Sequence, residues 1–142
     1  MIEIEIDEPA WTTAVPEAEA VCRLAAEAAR ASNVVILLTD DETVRDLNAR
    51  FRGKDSPTNV LSFPAAPTAE GHLGDIALAF GVCAAEAHEQ GKTLSAHLQH
   101  LVIHGVLHLM GYDHQADADA ERMEAREREL LAGLGIPDPY AT

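Results

Sequence analysis

A chain of 142 residues is of ordinary size for one domain with one core, and a hydrophobic share of 47% suits a globular protein. A formal charge of −14 opposes general nucleic-acid binding, so any contact with a polyanion has to come from a local cluster. No apolar run approaches the roughly 20 residues that span a bilayer, and MIEIEIDEP puts acids where a secretory signal has a basic end; a soluble cytoplasmic protein is expected.

In chain order, MIEIEID alternates apolar and acidic side chains and reads as a strand with one buried face. Residues 16–32 are alanine-rich, with Val21, Leu24, Ala25 and Ala28 at helical spacing and Pro16 suited to a first turn. VVILLT, residues 34–39, has the β-branched content of a central strand. Thr39 or Asp40 can cap a helix running to about Phe51, with acids in its first turn and Arg50 in its last. RGKDSPTN reads as a loop, VLSF as a strand stopped by Pro64, and LGDIALAF as another strand with Asp75 as its polar exception. A helix over 82–90 should end at Gly91, and Thr93 or Ser95 should start a longer one. A last helix over about 118–131 has Met123, Leu130, Leu131 and Leu134 as anchors. Together these predict an α+β fold over residues 1–142, with about four strands in a small mixed sheet packed on helices around a buried central helix.

Cys22 and Cys83 form no CxxC pair and read as buried small hydrophobes. The chemistry concentrates in HGVLHLMGYDH, residues 104–114. His104 and His108 lie four apart on one helical face, and Gly111 can end the helix so that His114 returns beneath that face. Three neutral imidazoles of this kind hold one zinc ion and leave its fourth position to water, as in catalytic sites. The isolated alternative, a hydrogen-bonded core histidine, suits His72, His88 and His97 better than it suits three histidines in this spacing. His100, one turn before His104, reads as a partner of a ligand or as a core or surface histidine. Asp113 either fixes the turn or orients an imidazole.

The spacing matches the metalloprotease pattern HExxHxxGxxH, but Gly105 stands where a peptidase has its glutamate. Peptide hydrolysis is thereby demoted, and Gly105 should leave room beside the helix for another segment or a bulky substrate group. A phosphodiester asks instead for a cation near the metal, because its transition state gathers negative charge on oxygen. Arg45, Arg50, Arg52 and Lys54 supply four of the ten basic residues within ten positions. Arg52 is the candidate catalytic cation, with Arg50 and Lys54 steering the strand; the alternative for Arg52 is a loop arginine bonding carbonyls or Asp55. Ser62 and Asp75 are cleft-lining candidates, or else a core hydroxyl and a turn or strand-end carboxylate. Residues 113–129, with seven acids and three arginines, read as a solvated helix face, with docking of a basic protein second.

HGVLHLMGYDH, LNARFRGKDSPTNVLSFP and LGDIAL, in this order, resemble the YbeY family of bacterial metal-dependent endoribonucleases. The resemblance implies one zinc ion per chain on His104, His108 and His114, and an arginine near it at the position of Arg52. It further implies a role in maturation of the 3′ end of small-subunit (16S) ribosomal RNA and in ribosome quality control. Ribosomal RNA, small-subunit ribosomal proteins and an assembly GTPase are the implied partners. A non-catalytic assembly factor with a structural zinc, and a metal-dependent hydrolase of another substrate, are the competing readings.

Overall fold

The structure, a computed structural model, describes residues 1–65, 72–112 and 116–140. In chain order it contains β1 (Ile2–Ile6), α1 (Ala10–Ala14), α2 (Ala18–Ala28), β2 (Asn33–Thr39), α3 (Asp41–Arg52), β3 (Val60–Pro64), β4 (His72–Ala79), α4 (Phe80–Glu89), α5 (Leu94–Leu109) and α6 (Asp117–Gly133). The strands form one sheet in the order β1-β2-β4-β3, with β1, β2 and β4 parallel and β3 antiparallel to β4. This is the expected α+β arrangement with a four-stranded mixed sheet.

Alternation along the strands assigns each side chain to one face of the sheet. Val34, Ile36, Leu38, Ile76 and Leu78 join the main core, which they share with α2, α5 and α6. Leu37, Leu61, Phe63 and Ala77 face the other way and meet Val44 and Leu47 of α3 in a smaller cluster. Helix α5 packs against both α2 and β3 and is buried along most of its length, as its apolar sequence demands.

Two boundaries differ from expectation. The chain turns helical before Pro16: α1 is a five-residue helix held by Trp11, which is fully buried, donates from Nε1 to the Thr39 carbonyl at 2.9 Å, and meets Phe80 edge-on at 5.3 Å. So short a helix has no periodicity to read, and tertiary contact makes it. Arg52 ends α3 instead of opening a loop, because Gly53, at φ 68°, is the first residue to leave the helix. At the other end of α3, Asp40 caps as expected, its carboxylate accepting from Thr43 N–H at 2.7 Å. A side-chain hydrogen bond with Thr43 first, and this N–H bond second, lower the Asp40 pKa. Both cysteines are buried, and burial pushes the Cys22 thiol up to about 12.

Candidate functional site

Thr93 caps α5 by accepting from Ala96 N–H, and the helix then presents His97, His100, His104 and His108 along one stripe. The rings of His104 and His108 lie nearly parallel, 11° apart, with centroids separated by 6.5 Å. This is the pairing that the four-residue spacing predicts.

What orders the pair comes from another helix. Glu127 of α6 is fully buried, and its carboxylate collects three donors: His100 Nε2 at 2.6 Å, Tyr140 Oη at 2.7 Å and His104 Nδ1 at 3.2 Å. Burial alone would raise its pKa. The hydrogen bonds from His100, His104 and Tyr140 together outweigh burial and bring it down to about 2. The same network pushes the Tyr140 phenol upward, through burial first and then its bond to Glu127. A proton on His104 Nδ1 for Glu127 leaves the lone pair on Nε2, the atom a metal would take; metal-ligating histidines are commonly held by a carboxylate in this way. His100 therefore shares the carboxylate that orients His104.

Glu127 was missed because 113–129 reads as a solvated acidic face. The ion pairs Arg122–Asp119, at 3.7 Å, and Arg126–Glu129, at 2.7 Å, fit that reading. Glu127 does not, and a signal for it existed: it lies four residues from both Met123 and Leu131, on the apolar stripe of α6.

At the end of α5, Gly111 takes φ 101° while its N–H bonds the His108 carbonyl and Tyr112 N–H bonds that of Leu107. This is the left-handed termination expected of Gly111, which turns the chain out of the helix. Asp113 and His114 lie outside the described residues. Among the described residues no group of three His, Cys, Asp or Glu side chains is arranged to hold a metal ion, and the described residues include two of the three expected ligands, His104 and His108. The donor set fits a borderline cation such as zinc: two parallel imidazoles on one face, one of them set by a buried carboxylate.

Gly105 does not open a space toward solvent. It is buried, and a Cβ there would lie 3.0 Å from Ile76 Cδ1 and 3.2 Å from Ser62 Oγ. The segment admitted by the missing side chain is the sheet itself, and a glutamate would collide with β3 and β4. Ser62 is correspondingly a core hydroxyl, donating to the Gly105 carbonyl at 3.4 Å.

Arg52 reaches this edge from the opposite face, its Nη2 donating to the Ser62 carbonyl at 2.6 Å. One of its five N–H groups is thus used in holding the guanidinium against β3. The basic cluster is smaller than the sequence suggests. Arg45 forms a two-point pair with Asp55, at 2.8 and 3.2 Å, and Arg50 pairs with Asp46 at 3.4 Å. Asp55 is therefore the partner of Arg45 and not of Arg52, and Arg50 shares its exposed charge with Asp46. Arg52 and Lys54 remain exposed. Asp75 faces away from α5 and pairs with His72 at 3.2 Å. His97 is a bonded core histidine, 2.9 Å from Glu86, with burial lowering its pKa; His88 is exposed in the last turn of α4.

Fold and site together define a small α+β protein whose central helix presents paired imidazoles beside a buried carboxylate, with an arginine at the adjoining sheet edge. Residues 2–135 match the family described as Endoribonuclease YbeY, and the chain belongs to that family. Proteins of that name from Paramagnetospirillum magneticum and Rhodopseudomonas palustris are 56% and 48% identical, each aligned over 98% of this chain and over 94% and 80% of their own lengths. A solution structure of TM1509 from Thermotoga maritima superposes with a TM-score of 0.61 at 26% identity, over 100% of this chain and 97% of that one. No helix among the described residues is long and apolar enough to cross a membrane.

Proposed function

We propose that this chain is a zinc-dependent endoribonuclease that cuts single-stranded RNA, acting in the cytoplasm on the 3′ end of small-subunit ribosomal RNA during maturation and quality control. Family membership supports the ribonuclease class, and the observation that carries the metal is the Glu127–His104 bond beside the parallel His108 ring. His104, His108 and His114 would hold the ion, and Glu127, as acceptor for His104 Nδ1–H, selects the neutral tautomer that offers Nε2. Zinc at such a site lowers the pKa of water and draws charge from a phosphoryl oxygen. Arg52 supplies the fixed cation for the scissile phosphate, and Lys54 extends the positive rim.

The edge of β3 favours this reading over a peptidase. A peptide substrate would add to the open strand beside the histidine helix. There the Val60 N–H is taken by Asn59 Oδ1 at 2.6 Å, the Ser62 carbonyl is taken by Arg52, and Pro64 has no N–H. Small-subunit ribosomal proteins and an assembly GTPase are the partners proposed with this role.

Metal analysis combined with cleavage of a single-stranded ribosomal RNA precursor tests the proposal. Wild type should carry about one zinc per chain, and His108→Ala should lose the metal and cut about 1,000-fold more slowly, a barrier rise of roughly 4 kcal/mol. Metal bound without metal-dependent cleavage would instead favour a non-catalytic assembly factor.

A further inference from the structure

A second feature lies across the sheet from the histidines. Between α3 and the outer face of the sheet runs a groove of about 700 Å³, apolar along its floor and walled by Leu47. At its β3 end stand Phe51 and Phe63, edge to face with centroids 5.5 Å apart, together with Arg52. Phe51 is 65% exposed, which core packing does not require of so large an aromatic residue. The groove also holds two carboxylates: Asp75, directly across the ladder from Phe63, and Glu5 on the far strand β1. The Asp75 carboxylate is already approached by His72, at 3.2 Å.

We propose that this groove is a nucleotide subsite for a base adjoining the cleaved linkage. The inference rests on the ribonuclease reading above. Arg52 belongs to both places: it lines the groove and binds the carbonyl of Ser62, whose hydroxyl touches α5 one residue from His104. A strand crossing the β3 edge can set a phosphate on Arg52 and lay the neighbouring base against the Phe51 ring, over the apolar floor. Base–aromatic stacking of this kind is available to every base. The charges set an orientation: the phosphate belongs at the arginine end, and the carboxylates beyond accept N–H bonds from the base edge. Asp75 favours bases with an exocyclic amino group, namely adenine, cytosine and guanine, over uracil. The side chains of a wholly apolar peptide bring no donor to either carboxylate, whereas a base edge does, which makes a base the better occupant.

The test measures affinity by fluorescence anisotropy, using the full chain and a short single-stranded RNA in which one abasic nucleotide is stepped along the strand. In wild type one position should cost about ten-fold in Kd, the effect of losing one stack. Phe51→Ala should weaken the intact RNA by a similar factor and become indifferent to that abasic position, while Phe51→Tyr should restore the discrimination. Phe51 is exposed, so the fold should tolerate both changes. Cleavage with equal affinity in wild type and Phe51→Ala, or an abasic penalty that survives Phe51→Ala, would overturn the subsite and leave the ribonuclease reading standing. A wild-type protein that neither binds nor cleaves RNA would overturn both.

Discussion

On the α5 side of the sheet, imidazoles converge on a carboxylate with no exposed surface; on the α3 side, a phenyl ring and a guanidinium stand largely in water above a half-open apolar groove. The contrast follows from coverage. Helices α2, α5 and α6 close the first face, so the Glu127 carboxylate takes its hydrogen bonds from His100, His104 and Tyr140, and those bonds fix their geometry. Helix α3 covers only part of the second face, which leaves exposed groups that an incoming ligand can order. On the proposed reading, rigid chemistry belongs to the closed side and recognition to the open one, and the two meet at β3.

Among the tests of this contrast, the largest expected effect falls on that meeting point. Arg52→Ala should slow RNA cleavage by about 10² to 10³, the range for removing one fixed transition-state donor, with zinc content unchanged. Full cleavage at full metal content would detach the open side from the chemistry. Next comes Gly105→Glu, which restores the peptidase letter. Overpacking against Ile76 with a buried charge should destabilise the fold by about 3 kcal/mol or more in urea titrations, and no peptide hydrolysis should appear. A stable variant that cleaves peptides would reverse the assignment of reaction class.

Glu127→Gln is expected to act more gently and only on the closed side. By analogy with other carboxylates behind metal-bound histidines, zinc affinity should fall about 10- to 100-fold in competition with a chelator. Unchanged affinity would show that Glu127 serves folding alone. The smallest effect is on acid stability. The Glu127 pKa falls from 4.5 to about 2 in the folded chain, so its contribution is complete above pH 4.5 and is lost as pH falls toward 2. The stability difference between wild type and Glu127→Gln should shrink across that window, and a difference that grew on acidification would contradict the network.

Much of this was legible in local pattern. Period-two alternation located β1, a β-branched run located β2 and short runs between turn residues located β3 and β4, while Asp40 and Thr93 were each one of two side-chain oxygens placed before a helical run. The four-residue spacing put His104 and His108 on one face, since helix geometry is a local property. Asp113 and His114 fall outside the described residues, so the return of His114 to that face stays an expectation from spacing.

Tertiary structure decided what those residues meet. Gly105 looked like space beside the helix, and only the crossing of α5 over β4 shows that Ile76 fills it. Arg52 was already singled out, but only the packing shows that Asp46 and Asp55 engage Arg50 and Arg45 while Arg52 reaches the β3 edge. Glu127 and Tyr140 joined His100 and His104 across 13 to 40 residues of chain. The physical reason is common to all three: helix and strand periods assign a side chain to a face, whereas its partner depends on which elements pack there, and that follows from burying the whole core at once.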